Sequence, residues 1–338
     1  DRARVLLLEA EDQPGYHATG RSAAFWSETY GGPAIQPLTT ASGADLRDGG
    51  YLEPLGSLHI GRDEDERAID TFLAEFADTP VALDRVDPAT LLPGTRPEWR
   101  HGVMEASCAY IDVGRLHADR LAAARRGGAV VETRAELASA ERAGGRWTLT
   151  TRDGRRFTAD VLVDAAGAWA DAVATNAGVR PIGIQAYRRT MVQLLTDPAP
   201  PASLPHVADI AGRFYFKPEA GGRLWLSPHD ETPVDPHDVA PEEIDVATAV
   251  DRFEHVVDWR VARLERSWAG LRSFAPDRAP VYGFDAHVPG FFWFAGQGGF
   301  GIQTAPAAAE IGAALLVGGD MPAGVDASRY AATRFAAT

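Results

Sequence analysis

The chain is 338 residues long, 45% hydrophobic and 24% charged, with 33 Lys and Arg against 47 Asp and Glu, a net charge of −14 and one Cys. That apolar content excludes a disordered chain, and the length accommodates about two domains with buried cores. A single Cys excludes a disulfide scaffold, a cysteine-built metal site and a redox pair, and the acidic balance argues against nucleic acid, whose backbone is held by Lys and Arg.

Asp1-Arg2-Ala3-Arg4 leads into only four apolar residues, Val5 to Leu8. This run is far shorter than a signal segment or than the roughly 20 residues of a membrane span. The expectation is a cytoplasmic protein without a membrane span. Residues 5–8 read instead as a buried strand of a parallel sheet, ending at Glu9. A polar loop follows, Gln13-Pro14-Gly15-Tyr16-His17-Ala18-Thr19-Gly20-Arg21-Ser22-Ala23-Ala24. Beyond about Tyr30, a segment rich in Pro and aromatics extends to Glu105. Asp112 is placed to cap a helix that runs to Arg126 and closes on Gly127-Gly128. The strand 129–133 and the buried strand Val161-Leu162-Val163 then set up a βα rhythm. From about Pro181 to Asp285, residues 213–217 and 223–226 read as antiparallel strands and residues 247–257 as a helix. Phe291-Phe292-Trp293-Phe294 is a third buried strand, followed by a Gly-rich turn and a packed helix over 305–317 that contains Pro306 and Glu310. The simplest arrangement is a discontinuous nucleotide-binding domain with a second, mostly antiparallel domain inserted twice.

Three strand ends carry the chemistry. Glu9 suits acceptance of hydrogen bonds from a ribose diol, or merely marks where a strand meets water. The loop 13–24 can hold a pyrophosphate on its backbone N–H groups, with Arg21 as counter-charge. Gly296-Gln297-Gly298-Gly299-Phe300-Gly301 opens a helix whose dipole favours negative charge, or is a tight packing turn. Asp164-Ala165-Ala166-Gly167-Ala168-Trp169 allows close approach of a ligand or of a neighbouring backbone. Arg272, and Arg188-Arg189, stand among apolar neighbours; a guanidinium there captures a carboxylate or pairs internally. The acids and histidines between His229 and Asp238 lack a fixed spacing and read as a solvated loop, so no metal is expected. Cys108, with no basic neighbour, reads as a small core side chain.

In this order, residues 13–24, Tyr30-Gly31, Ala165–Trp169, Phe214-Tyr215-x-Lys217-Pro218, the segment from His237 to Thr248, Trp268–Phe274 and Phe291–Thr304 closely resemble the FAD-dependent amine and amino-acid oxidoreductases of the D-amino-acid oxidase and glycine oxidase superfamily. The nearest likeness is to the bacterial D-arginine dehydrogenase type. The resemblance implies an α/β (mixed α+β) architecture. A Rossmann-like FAD-binding domain would take residues 1–29, 106–180 and 286–338, and an inserted, mostly antiparallel substrate-binding domain residues 30–105 and 181–285. It places Glu9 on the adenosine ribose, Ala135 near the adenine, and Ala18, Thr19, Gly20, Arg21, Ser22, Ala23, Ala24 and Phe25 along the pyrophosphate and flavin. Ala166, Gly167 and Trp169 also belong to the cofactor side, with Gly298, Gly299, Phe300, Gly301, Ile302 and Gln303 at the isoalloxazine. Arg272 and Arg189 become candidates for the substrate carboxylate, with the Tyr30 and Tyr215 hydroxyls beside them; Tyr30, Tyr215 and Arg272 are the catalytic candidates. Ser57, Phe25 and Gly299 complete the substrate set.

Three departures follow from the resemblance. The family begins with a strand and a Gly-x-Gly-x-x-Gly turn ahead of the strand that is here 5–8, so the expectation is either a truncated sequence or a severely reduced FAD affinity. Ser57 stands where the D-arginine enzyme has a glutamate, which disfavours cationic side chains. Phe25 and Ser27 replace a pocket histidine and threonine, which makes the pocket more apolar. The position of flavin attachment in sarcosine oxidases falls near Asp277-Arg278, so FAD is expected to be non-covalent. The implied reaction is oxidation of the Cα–N bond of a D-amino acid, preferably neutral or apolar, with hydride passing to flavin N5 and the imine hydrolysing to a 2-oxo acid and ammonia. The electron acceptor would be a quinone, a dye or O2. The alternatives are a glycine- or sarcosine-type amine oxidase using O2, and an inactive remnant unable to hold FAD.

Overall fold

The structure, a computed structural model, describes residues 3–336. Asp1 and Arg2, which head the segment read for targeting, and Ala337 and Thr338 lie outside the described residues.

The chain is mixed α/β, as its punctuation predicts. Leu6–Leu8 pairs in parallel with Val130–Glu132, and Leu162–Asp164 pairs in parallel with Phe291–Ala295, which Val281–Phe284 then joins antiparallel. The helix Val113–Arg126 begins where expected, because the Asp112 carboxylate accepts from the Arg115 N–H, one of the donors a helix start leaves unpaired. The Gly-rich turn leads into the helix Gly301–Val317, which packs against Gln36–Asp48. Ser42 Oγ accepts from the Ala307 N–H across this contact.

The apolar run Val5–Leu8, expected to form a buried strand, meets water: Leu6 and Leu7 are 39% and 41% exposed. Val130–Glu132 is its only strand partner among the described residues. Apolar residues make a strand buried only where layers cover both faces, and that depends on neighbours rather than on the run itself. Val163 is exposed for the same reason, whereas Phe291, Phe292 and Trp293, between two strands, are fully buried. The helix read over 247–257 spans Glu243–Glu254, displaced toward acids that suit its positive end.

The two Pro- and aromatic-rich segments build one nine-stranded sheet. Its order is Thr232–Val234, Gln185–Asp197, Arg223–Ser227, Tyr215–Glu219, His206–Asp209, Ser57–Gly61, His101–Glu105 and Leu83–Val86, with Arg260–Phe274 also paired to Gln185–Asp197. All pairs are antiparallel except His206–Asp209 with Ser57–Gly61, the seam between the two segments, which sets His206 opposite Ser57. Beneath the sheet a core of Leu58, Val192, Phe216, Leu226 and Phe253 is closed by Glu243–Glu254. Each such side chain contributes about 1.5–3 kcal/mol by leaving water. A second core, around Trp147, Leu162, Phe291 and Trp293, underlies the parallel strands. Among the described residues no helix is long and apolar enough to cross a membrane.

Candidate active site

The C-terminal ends of the parallel strands face the loops singled out above. The Ala135 N–H donates to the Glu9 carbonyl at 2.8 Å, which places these two residues side by side, and Ala135 is buried. In the loop 13–24 the Gly20 N–H closes on the Gly15 carbonyl at 2.8 Å, and a Cβ on Gly20 would lie 2.8 Å from that oxygen. Ser22 Oγ accepts from the Ala24 N–H. Ala18 and Gly20 are exposed, while Thr19 and residues 21–25 are half-buried. The loop reaches the turn Gly167–Trp169 through His17, whose ring lies 4.7 Å from that of Trp169. Ala166 donates its N–H to Asp164 Oδ1, leaving Oδ2 buried without a partner. Arg21 is not a free counter-charge: its guanidinium pairs with Asp238 and donates to the carbonyls of Val239 and Ala269. What it can offer an anion is its backbone.

The Gly-rich turn is packed against the long strand Arg260–Phe274. The Gly298 N–H donates to the Ser273 carbonyl at 2.8 Å, and with φ of +55° Gly298 sits where a Cβ would strike Phe274 at 2.5 Å. A Cβ on Gly299 would meet the Tyr30 hydroxyl at 2.1 Å and Arg272 Cζ at 2.9 Å. The helix after it starts without a side-chain cap, so the N–H groups near Gly301 and Ile302 have no side chain answering them. Phe300 is buried between Phe274 and Tyr30. The Gln303 side chain turns inward, accepting from the Ser27 N–H and donating to the Tyr30 carbonyl and Thr39 Oγ1.

The substrate candidates converge on this turn. Arg272 Nη2 lies 3.4 Å from the Tyr215 hydroxyl, and its guanidinium is 5.8 Å from the Tyr30 ring. No carboxylate lies within ion-pair distance of Arg272 among the described residues; burial works against its charge, but Tyr30, Tyr215 and the more distant carboxylates of Glu231 and Asp230 raise its pKa. Arg189 donates from Nε to the Asp230 carbonyl at 2.7 Å and from Nη2 to Glu231 at 3.2 Å, and its Nη1 is buried without a partner. Burial, then the charge of Arg272, pull its pKa down. Arg188, one residue away and on the other face, is paired internally with Glu242 and Asp245. Phe25 closes one side, 5.3 Å from Tyr30 and 6.3 Å from Tyr215.

Sequence reasoning missed Glu105, His59 and His206. Glu105 is fully buried and accepts from Ser27 Oγ at 2.8 Å, the Glu28 N–H at 2.7 Å and Thr29 Oγ1 at 2.6 Å. Ser57 Oγ lies 2.9 Å from His206 Nδ1 and 3.4 Å from His59 Nε2. No linear signal joins Ser57 to His206, which are 149 positions apart. In the 229–238 segment, His229 is held by the Gly212 carbonyl, Asp230 by Thr190 and Asp238 by Arg21. Cys108 is a buried core residue whose thiol burial pushes well up.

A mouse FAD-dependent oxidoreductase domain-containing protein 1 is 29% identical over 191 residues, 52% of this chain and 39% of that protein, so the chain matches well under half of its length. The fold is that of glycine oxidase from Geobacillus kaustophilus (TM-score 0.83, 20% identity, 98% of this chain and 92% of that one). L-Proline dehydrogenase from P. horikoshii shares it as well (TM-score 0.81, 15% identity, 95% of each chain). The family model DAO, FAD dependent oxidoreductase, matches residues 1–315, and the chain belongs to that family of FAD-dependent oxidoreductases.

Proposed function

We propose that the protein oxidises the Cα–N bond of a D-amino acid with a neutral or apolar side chain, using non-covalently held FAD. The cofactor is FAD, and two features of the chain fit it. The bare face of Gly299 between Tyr30 and Arg272 would be filled by any Cβ, and the helix Gly301–Val317 begins uncapped. The loop 13–24, Glu9, Ala135, the turn 166–169 and residues 298–303 would hold it, with Cys108 too deeply buried to attach it. Bound there, FAD supplies the hydride acceptor. The division into an FAD-binding domain (1–29, 106–180, 286–338) and a substrate domain (30–105, 181–285) belongs to the same reading.

The observation that carries the proposal is Arg272 beside Gly299, with no carboxylate within ion-pair distance among the described residues, together with Arg189, whose pKa the charge of Arg272 helps to lower and whose Nη1 is buried and unanswered. The two charges oppose each other, Glu231 answers only one nitrogen of Arg189, and a planar guanidinium matches a carboxylate. Arg272 and Arg189 therefore bind the carboxylate, the Tyr30 and Tyr215 hydroxyls complete that grip, and Phe25 keeps water from the side-chain end. Positioning of this kind supplies a large part of a barrier reduction. The released imine hydrolyses to the 2-oxo acid and ammonia. Support for the D enantiomer comes from the motif resemblance at residues 13–24 and 268–274. A glycine- or sarcosine-type oxidase using O2 is the second reading, favoured by the likeness in fold to a glycine oxidase.

Anaerobic titration of the FAD-loaded protein with D- and L-amino acids tests the reading. Bleaching of the flavin band by the D enantiomer alone is the expected result. Bleaching only by glycine or sarcosine would transfer the function to the second reading, and a colourless protein that takes up no FAD would end both. Readmission of O2, or of a quinone or dye, then identifies the electron acceptor.

A further inference from the structure

A chain of buried polar groups runs from Glu105 to the wall of the pocket, and its polarity can be followed atom by atom. Glu105 receives donors from Ser27 Oγ, the Glu28 N–H, Thr29 Oγ1 and Ser107 Oγ. The Thr29 hydroxyl hydrogen is thereby committed, so Thr29 Oγ1 presents a lone pair to His59 Nε2 at 3.4 Å, and that nitrogen carries the His59 proton. Ser57 Oγ, also 3.4 Å from His59 Nε2, accepts from the same N–H and gives its own hydrogen to His206 Nδ1 at 2.9 Å. With Nδ1 accepting, the neutral His206 ring carries its proton on Nε2. That atom is buried and has no partner. The ring lies 4.4 Å from Phe25 and 5.5 Å from Tyr215, both walls of the proposed pocket. Burial, reinforced by the nearby His59, Lys217 and His229, holds the ring neutral, so it donates without presenting a charge.

We propose that His206 Nε2–H recognises the substrate's side chain, donating to the carbonyl oxygen of a neutral amide. The inference rests on the amino-acid reading above and, within its neutral-or-apolar class, selects amide side chains over apolar ones. An apolar side chain leaves the donor unanswered, and a guanidinium or ammonium sets donor against donor; a buried donor made to answer an acceptor discriminates against both.

The test uses the FAD-loaded enzyme and whichever enantiomer it oxidises, comparing glutamine, glutamate and the unbranched apolar norleucine. In the native enzyme kcat/KM for glutamine is expected to exceed that for norleucine and for glutamate about tenfold or more, and a preference for glutamate overturns the proposal. His206→Phe, which keeps a ring and removes the donor, is expected to reduce the glutamine-to-norleucine ratio about tenfold, mostly through KM, with His206→Gln restoring part of it. A ratio unmoved by His206→Phe, or a native preference for norleucine, overturns the proposal while leaving amino-acid oxidation standing. Oxidation of no amino acid at all overturns both. If His206→Phe does not fold, 15N spectra of histidine-labelled native enzyme decide: a proton on His206 Nε2 is expected, and one on Nδ1 overturns the assignment.

Discussion

Arg188 and Arg189 show what a single residue's position in a strand decides. Successive side chains of a strand point to opposite faces, so adjacent arginines meet different surroundings. Arg188 joins Glu242 and Asp245, and Arg189 turns toward Arg272. Both were visible in the sequence as charges among apolar residues, but which face held the site was not, because alternation alone carries no label for the face. Arg272→Ala is expected to lower kcat/KM by about 30-fold to several thousand-fold, the 2–5 kcal/mol typical of losing one partner of a buried charge pair. Arg188→Ala is expected to retain kcat/KM and to lower unfolding free energy by about 1–3 kcal/mol, below the value for a fully buried pair because Glu242 is solvent-exposed. Steady-state kinetics and urea unfolding on the two variants separate these outcomes, and loss of activity in Arg188→Ala alone would reverse the assignment.

At the scale of elements, apolar runs located the strands and capping residues located the helices, but burial followed from what lay alongside. The strand Leu162–Asp164 ends in a carboxyl that is 1% exposed, with Oδ2 unanswered. Burial raises the Asp164 pKa to about 8. The folded chain therefore keeps a proton that the unfolded chain releases near pH 4. Stability from this group is fully present below that pH and is lost progressively as pH rises toward about 8. Asp164→Asn, neutral in both states and still able to accept from the Ala166 N–H, is expected to match the native apoprotein in Tm at pH 4 and to exceed it increasingly up to pH 8, by a few kcal/mol in unfolding free energy. Equal melting temperatures across that range would show that the carboxyl finds an answering group.

Over the whole molecule, the loop 13–24 is tied to the long strand Arg260–Phe274. Arg21 donates to the Ala269 carbonyl, Trp268 Nε1 donates to the Arg21 carbonyl at 3.1 Å, and a Cβ on Gly270 would touch Arg21 at 3.2 Å. Asp238 is 56% exposed, so its ion pair with Arg21 is worth less than about 1 kcal/mol. Asp238→Ala is therefore expected to shift urea unfolding only slightly, whereas Arg21→Ala, which also strips the Val239 and Ala269 carbonyls, is expected to cost about 2–4 kcal/mol. A large effect of Asp238→Ala would move the weight of this contact onto the ion pair. The local elements follow from the amino-acid order alone: a strand at Leu6–Leu8, a helix capped by Asp112, a glycine turn into a helix, and arginines too apolar in context to be ordinary surface charges. These depend on side-chain size, backbone freedom and hydrogen bonds within a few residues. Long-range packing sets the rest: Arg21 serves Asp238 rather than standing free, Leu6 and Leu7 meet water, and Ser57 faces His206. Each depends on which strand lies beside which, and that order is set by pairing between segments far apart in the chain.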